Sequence, residues 1–283
     1  GYIFDFFSSS FGVRSGQIDR DTATKVINEA FEFLLEDKMM RMVDGDGWYA
    51  ATSLGHMVNR MYINPTSMPN ITKALQEANS RIHSPSKDVA DFSWLHMMCT
   101  MVDWSFRPIR WEDFQDDIDF ENLLLGDDSD RFEEGLEGAL VLRDYILEIE
   151  EKQICERFHI GSGDLALGRD NARWMLYSVR IIAEVLGYSK LLGQLDVLIH
   201  RIEKGIKEEL LSLTSIKGIG RSRARKLFEA GITGRQEFFS GKDYLLISQV
   251  IGVGVLKRVL EENNVDPSKV NVDLTITRQT ILG

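Results

Sequence analysis

Residues 216–232 carry the residue types and spacing most capable of chemistry in this chain: a Gly-hydrophobic-Gly turn, Gly218-Ile219-Gly220, opening into a helical pattern that bears Arg221, Arg223, Arg225 and Lys226. Glycines let a backbone approach a ligand without a Cβ in the way. The first N–H groups of a helix have no partner within it and favour an anion. Four cations within the next turn and a half point to a polymer of phosphates.

This is a helix-hairpin-helix signature, which grips a nucleic-acid backbone irrespective of sequence. A dinucleotide fold would need a third glycine where Arg223 stands and a strand before the turn. The preceding segment, Ile206 to Leu213, has helical apolar spacing instead. A phosphate-binding loop of the Gly-Lys-Ser/Thr kind fails at Gly241-Lys242-Asp243, which lacks the hydroxyl. A second copy follows: Gly252-Val253-Gly254 precedes Val255 to Leu260 about 34 residues on, and Tyr244 to Ile247 is apolar before it. It is less basic, so a second backbone grip and a packing partner for the first copy both remain open.

A second constellation lies between Leu167 and Gly187. At roughly 100° per residue, Arg169, Arg173, Tyr177 and Arg180 share one narrow sector, and Met175, Val179, Ile182 and Leu186 face the other way. Trp174 stands at the border. Cations for phosphates beside a flat ring for bases suit a single strand, and such stacking tolerates any base. An amphipathic helix whose Trp174 closes a core has the same periodicity, and both readings stand.

The elements that must position these residues follow from the whole chain. Its 283 residues predict two or three domains with ample core. No apolar run approaches the length of a membrane span. The chain opens Gly-Tyr-Ile-Phe, as expected of a piece of a larger protein. Cys99 and Cys155 lack metal spacing and suit a reducing, cytoplasmic setting. His56, His83, His96, His159 and His200 form no i,i+4 pair, so no metal site is expected. The net charge of −11 is uneven: residues 112–150 hold 15 acids against Arg131 and Arg143, whereas residues 201–283 carry 14 bases against 10 acids. Steering depends on the local field of a patch rather than on the total. The acidic stretch reads as solvated faces and a loop at Gly126 to Asp130, without the ligand order of a calcium hand.

The predicted fold is mainly α, in three parts. Residues 1–62 read as a winged-helix domain: helical spacing from Ile18 to Leu35 with Asp21-Thr22 as starters, then a small β-hairpin of Met39–Val43 and Trp48–Thr52 about the turn Asp44-Gly45-Asp46-Gly47. Its six bases against nine acids make it an internal joint rather than a groove reader. Residues 63–205 read as a helical bundle, with Met97, Met98, Met101, Trp104 and Trp111 as core. Residues 206–283 form the tandem helix-hairpin-helix domain.

The order of these pieces resembles the C-terminal half of the archaeal Ski-type superfamily-two DNA helicases, the Hel family of stalled replication forks. The phrases that carry it are Asp5-Phe6-Phe7 with Phe11, Ala51-Thr52-Ser53-Leu54-Gly55, Tyr62-Ile63-Asn64-Pro65, Trp94-Leu95-His96, Gly163-Asp164-Leu165, Ala172-Arg173-Trp174, and Ile219 to Arg225 with Gly231-Ile232. The resemblance implies a winged helix, a ratchet bundle and a terminal helix-hairpin-helix domain. It also implies that a ratchet-helix tryptophan and an arginine touch the translocating strand. Trp174 fits the tryptophan, but Leu167 occupies the arginine position, leaving Arg169 or Arg173 as substitutes. The family's Arg-x-Arg-Ala-Arg element maps onto Arg221, Arg223, Ala224 and Arg225, implied to hold the strand as it leaves the motor.

No Walker Lys-Ser/Thr motif and no Asp-Glu-x-His box occurs in these residues. ATP and Mg are therefore expected in motor domains outside this chain, and no cofactor within it. The expected role is non-catalytic gripping of single-stranded or forked DNA for a 3′–5′ helicase acting in replication-fork repair. The expected nucleic-acid-binding residues are Arg169, Arg173, Trp174, Tyr177, Arg180, Gly218, Ile219, Gly220, Arg221, Arg223, Arg225, Lys226, Gly252 and Gly254. The tail Arg278 to Gly283 resembles a sliding-clamp docking motif without its aromatics. Two alternatives remain: the same region of a Ski-type RNA helicase, and an acidic scaffold that recruits a basic protein through residues 112–150.

Overall fold

The computed structural model describes residues 5–7, 9–43, 47–81, 89–104 and 111–269. The turn Asp44-Gly45-Asp46, His83 and the expected clamp-docking tail lie outside them, as does the side chain of Trp111. The elements in chain order are α1 (Phe11–Arg14), α2 (Arg20–Glu36), β1 (Met40–Val43), β2 (Trp48–Ala51), α3 (Ser53–Arg60), α4 (Met68–Arg81), α5 (Asp91–Cys99) and α6 (Phe132–Ile146). They continue with α7 (Glu151–Phe158), α8 (Ser162–Val185), α9 (Leu192–Lys204), α10 (Leu211–Thr214), α11 (Arg221–Glu229), α12 (Arg235–Phe239), α13 (Tyr244–Ile251) and α14 (Val253–Glu262). The described residues are mainly helical, and among them two strands form one antiparallel sheet with Met40 opposite Ala51 and Val43 opposite Trp48.

Contacts divide the chain into two units. The first draws on residues 1–105, 119–135 and 175–192. Its α2 starts at Arg20, one residue before the Asp21-Thr22 expectation, because the Asp19 carboxylate accepts from the N–H groups of Asp21 and Thr22. Thr52 joins hairpin to helix: its hydroxyl accepts from Gly55 N–H at the start of α3 and donates to the Lys38 carbonyl. The core gathers Met68, Ile71 and Leu75 of α4 with Trp94, Met97 and Met98 of α5, all fully buried, and Met101 and Trp104 join it. Those methionines and Trp104 are packing residues, as expected.

The second unit draws on residues 106–118, 136–174 and 193–283. Its terminal helices share one apolar core that includes Ile206, Leu213, Ile219, Leu227, Phe238 and Leu256. The expected continuous helix over Ile206 to Leu213 is broken. Lys207 is extended, a 3-10 turn covers Glu208–Leu210, and α10 follows. The Lys207 N–H donates to the Glu148 carboxylate instead of entering a helix, which explains the break.

Candidate nucleic-acid interface

The Gly218-Ile219-Gly220 turn links α10 to α11, and its two glycines do different work. Gly218 has φ +89°, and a Cβ there would lie 2.9 Å from Glu262 Oε2 and 3.0 Å from Val259 Cγ2. This position needs glycine for its backbone conformation and for its neighbours. Gly220 has φ −99° and ψ 178°, an extended conformation open to any residue, and a Cβ there meets none of the described residues within 4 Å. A glycine at position 220 therefore keeps the start of α11 uncovered rather than relieving strain. Between them Ile219 is buried in the core and anchors the turn. The Asn263 side chain clasps it from outside, accepting from Lys217 N–H at 3.3 Å and donating to the Lys217 carbonyl at 2.9 Å.

Within α11 the first helical bond runs from Ala224 N–H to the Gly220 carbonyl. The N–H groups of Arg221, Ser222 and Arg223 precede it, and among the described residues none caps them. They border an open depression of about 360 Å³ lined by Gly220, Arg221, Ser222, Arg223 and Lys226, with Val250 and Ile251 of α13 as its apolar side. Arg223 is exposed and donates to the Gly218 carbonyl at 3.0 Å, and Lys226 is exposed with no ion pair among the described residues. Uncapped amides beside two exposed cations make a local environment that favours an anion.

The remaining arginines of this cluster face inward. Arg225 makes two 2.8 Å hydrogen bonds to the Glu148 carboxylate and one of 2.9 Å to Glu209. Arg221 donates to the Ile149 carbonyl at 2.8 Å, and its guanidinium stands 5.7 Å from the centre of the Tyr145 ring. Burial raises the Glu148 pKa, but the Arg225 hydrogen bonds, the Lys207 N–H and the charges of Arg225 and Arg221 together leave it below the ordinary carboxylate range.

In the second glycine pair, Gly252 precedes α14 with φ +88° and Gly254 lies in its first turn with open space around it. The side chains nearest that helix start are Val253 and Val255, and the cations Lys257 and Arg258 follow a turn later, exposed. This second start is apolar where the first is cationic.

Helix α8 runs over Ser162–Val185 rather than Leu167 to Gly187. In the second unit, Arg169 is half-buried, donates to the Tyr145 hydroxyl at 3.3 Å and stands 5.2 Å from that ring's centre. Arg173 is exposed and Trp174 is half-buried. In the first unit, Tyr177 is exposed and Arg180 pairs with Glu184 at 2.6 Å, while Met175, Val179 and Ile182 are buried. Of the arginine row, Arg173 thus keeps its charge at the surface and Arg169 spends it on Tyr145.

Sequence reasoning missed Tyr145, Glu148 and Glu209. Glu148 sits in the acidic stretch read as a solvated face, 77 residues from its partner Arg225. No local pattern marks it. Elsewhere in that stretch Asp117 and Asp144 pair with Arg143 and Arg157. Among the described residues no helix is long and apolar enough to cross a membrane, and no three His, Cys, Asp or Glu side chains gather as metal ligands would.

Residues 92–205 match the model of a family described as archaeal helicase, domain 4. The chain is 32% identical over 257 residues to the ATP-dependent DNA helicase Hel308 of Methanocella arvoryzae, covering 83% of this chain and 32% of that protein. It is 31% identical over 233 residues to the protein of the same name from Thermoplasma volcanium, covering 82% of this chain and 32% of that protein. With the Pyrococcus horikoshii protein of that name it shares 28% identity over 271 residues, 92% of this chain and 36% of that protein. The chain spans about a third of the length of the curated relatives it matches.

Proposed function

This chain belongs with the C-terminal region of the archaeal Hel308-type superfamily-two helicases, and on that premise we propose that it is the DNA-handling part of an ATP-dependent 3′–5′ DNA helicase. It grips single-stranded or forked DNA in the cytoplasm while ATP and Mg act in motor domains supplied outside these residues. Residues 1–62 serve as a winged-helix joint, residues 63–205 as the ratchet bundle and residues 206–283 as a helix-hairpin-helix domain.

The observation that carries this reading is the uncapped start of α11, where three N–H groups, Arg223 and Lys226 converge on one open depression. A phosphate seated there accepts from the amides and is neutralised by the two side chains, with no base recognised. On α8 the exposed Arg173 contacts a second phosphate, and the half-buried Trp174 beside it stacks on a base. Tyr177 and Arg180 continue the same helix, and Gly252 and Gly254 give the strand a second, weaker contact through amides alone. Such a grip holds any sequence, which replication-fork repair requires.

Hydrogen exchange of the 283-residue chain with and without a single-stranded oligodeoxythymidine tests the site. The N–H groups of Arg221, Ser222 and Arg223 become protected if they bind phosphate. Unchanged exchange across 218–226 while the oligonucleotide is bound would refute the assignment. Tighter binding of RNA than of DNA of matched length would transfer the same site to an RNA helicase.

A further inference from the structure

Helix α6 ends in a conformation that glycine normally supplies. Its closing bonds run from Glu148 N–H to the Tyr145 carbonyl and from Ile149 N–H to the Asp144 carbonyl, a Schellman turn whose left-handed residue is Glu148, at φ 66°. Holding a side chain in that region is unfavourable. What the turn gains is a carboxylate aimed at Arg225, which it meets through two hydrogen bonds, and at the N–H of Lys207. The Glu148 side chain is 11% exposed, so this pair is largely withdrawn from water.

One turn earlier, the Tyr145 ring collects two guanidinium groups from different elements, Arg169 of α8 and Arg221 of α11. Gly205, at the end of α9, approaches the same ring so closely that a Cβ there would lie 2.5 Å from Tyr145 Cζ. The last turn of α6 thus touches α8, the end of α9 and the start of α11 through two side chains and one carbonyl.

We propose that Tyr145 and Glu148 are positioning residues that fix the hairpin helix α11 to the rest of the second unit, with Arg221 and Arg225 as the ties and Arg223 and Lys226 as the strand contacts. The clause about the strand rests on the function proposed above, whereas the clause about the joint does not. Two cations share one ring because each has a second partner: Arg169 donates to the ring's own hydroxyl, and Arg221 to the Ile149 carbonyl. Removing the Glu148 charge leaves Arg225 with its bond to Glu209 but without the bidentate anchor on α6, and leaves the Lys207 N–H with a weaker acceptor.

The test is a double-mutant cycle of Glu148→Gln and Arg225→Gln in the 283-residue chain, followed by thermal unfolding and by single-strand binding against salt. Each single variant is expected to lower the unfolding midpoint by about 2–12 °C, and the double variant by no more than the worse single one. The slope of log affinity against log salt is expected to stay unchanged in all three. Tyr145→Phe, which keeps the ring, is expected to hold the midpoint within a degree or so of wild type, and Tyr145→Leu to lower it as the Glu148 variant does.

Additive losses in the cycle would overturn the joint. A slope flattened by about 0.7 in Arg225→Gln with its midpoint intact would make Arg225 a strand ligand and overturn its role as a tie. Coupling in the cycle without any oligonucleotide binding would uphold the joint and sink only the strand-gripping reading.

Discussion

Arg225 and Glu148 meet through two parallel hydrogen bonds of 2.8 Å across 77 residues of chain. This is the fork-to-fork geometry that makes arginine–carboxylate pairs strong and directional. It turns one cation of an apparent phosphate clamp into part of the scaffold, and it divides the four-cation cluster into two inward and two outward members.

The pair gives the chain a definite acid sensitivity. Glu148 in the folded chain titrates below its ordinary value of 4.5, so the stability it contributes is complete above that pH and is lost as the pH falls through the folded value. Denaturant unfolding of wild type and Glu148→Gln should therefore differ by a constant amount, about 1–3 kcal/mol for a charge-assisted bond, from about pH 6 to 8. The gap should close as the pH drops below 4.5. A gap that persisted unchanged to pH 3, roughly one unit below the free carboxylate range, would show that the pair is not what holds the turn.

The two glycines of the turn should respond oppositely to alanine. Gly218→Ala forces a side chain into the left-handed region and against Glu262 and Val259, and should cost about 1–2 kcal/mol of stability. Gly220→Ala adds its methyl in open space, so stability should stay within about 0.5 kcal/mol. The methyl sits at the mouth of the amide depression, so single-strand affinity should fall about tenfold, the equivalent of one charge-assisted hydrogen bond. Paired denaturation and anisotropy titrations separate the two effects.

Trp174→Ala should weaken single-strand binding by about 1–3 kcal/mol per stacked base, to the same extent on oligodeoxythymidine and oligodeoxyadenosine. Trp174→Phe should recover part of the loss. Loss of stability in Trp174→Ala with unchanged affinity would mean that the ring serves the core alone.

Asp144 is 2% exposed and holds Arg157 at 2.6 Å and Arg143 at 3.2 Å. Asp144→Asn leaves both guanidiniums to share Asp117, and stability should fall by about 3 kcal/mol, the scale for breaking a buried pair. Urea unfolding that showed under about 1 kcal/mol would place this network among the surface pairs that contribute little.

Much of this was legible in the sequence for physical reasons. The glycine pair before a basic helix located an uncapped helix start, because turn chemistry and helix periodicity are local. The spacing of Met175, Val179 and Ile182 marked the buried side of α8. What stayed hidden was non-local. Arg225 and Arg223 look alike in the sequence, and only the return of the α6 turn to α11 separates the tie from the exposed cation. The broken helix at Lys207 was hidden for the same reason, since its N–H leaves the helical ladder for a carboxylate 59 residues away.

The central claim is that the exposed side of α11 neutralises phosphates through Arg223 and Lys226. Its most direct test is the salt dependence of single-strand binding by wild type and by the double variant Arg223→Gln, Lys226→Gln. Two lost phosphate contacts predict a slope of log affinity against log salt flattened by about 1.4, with the unfolding midpoint unchanged. An unaltered slope in a folded variant would contradict the account.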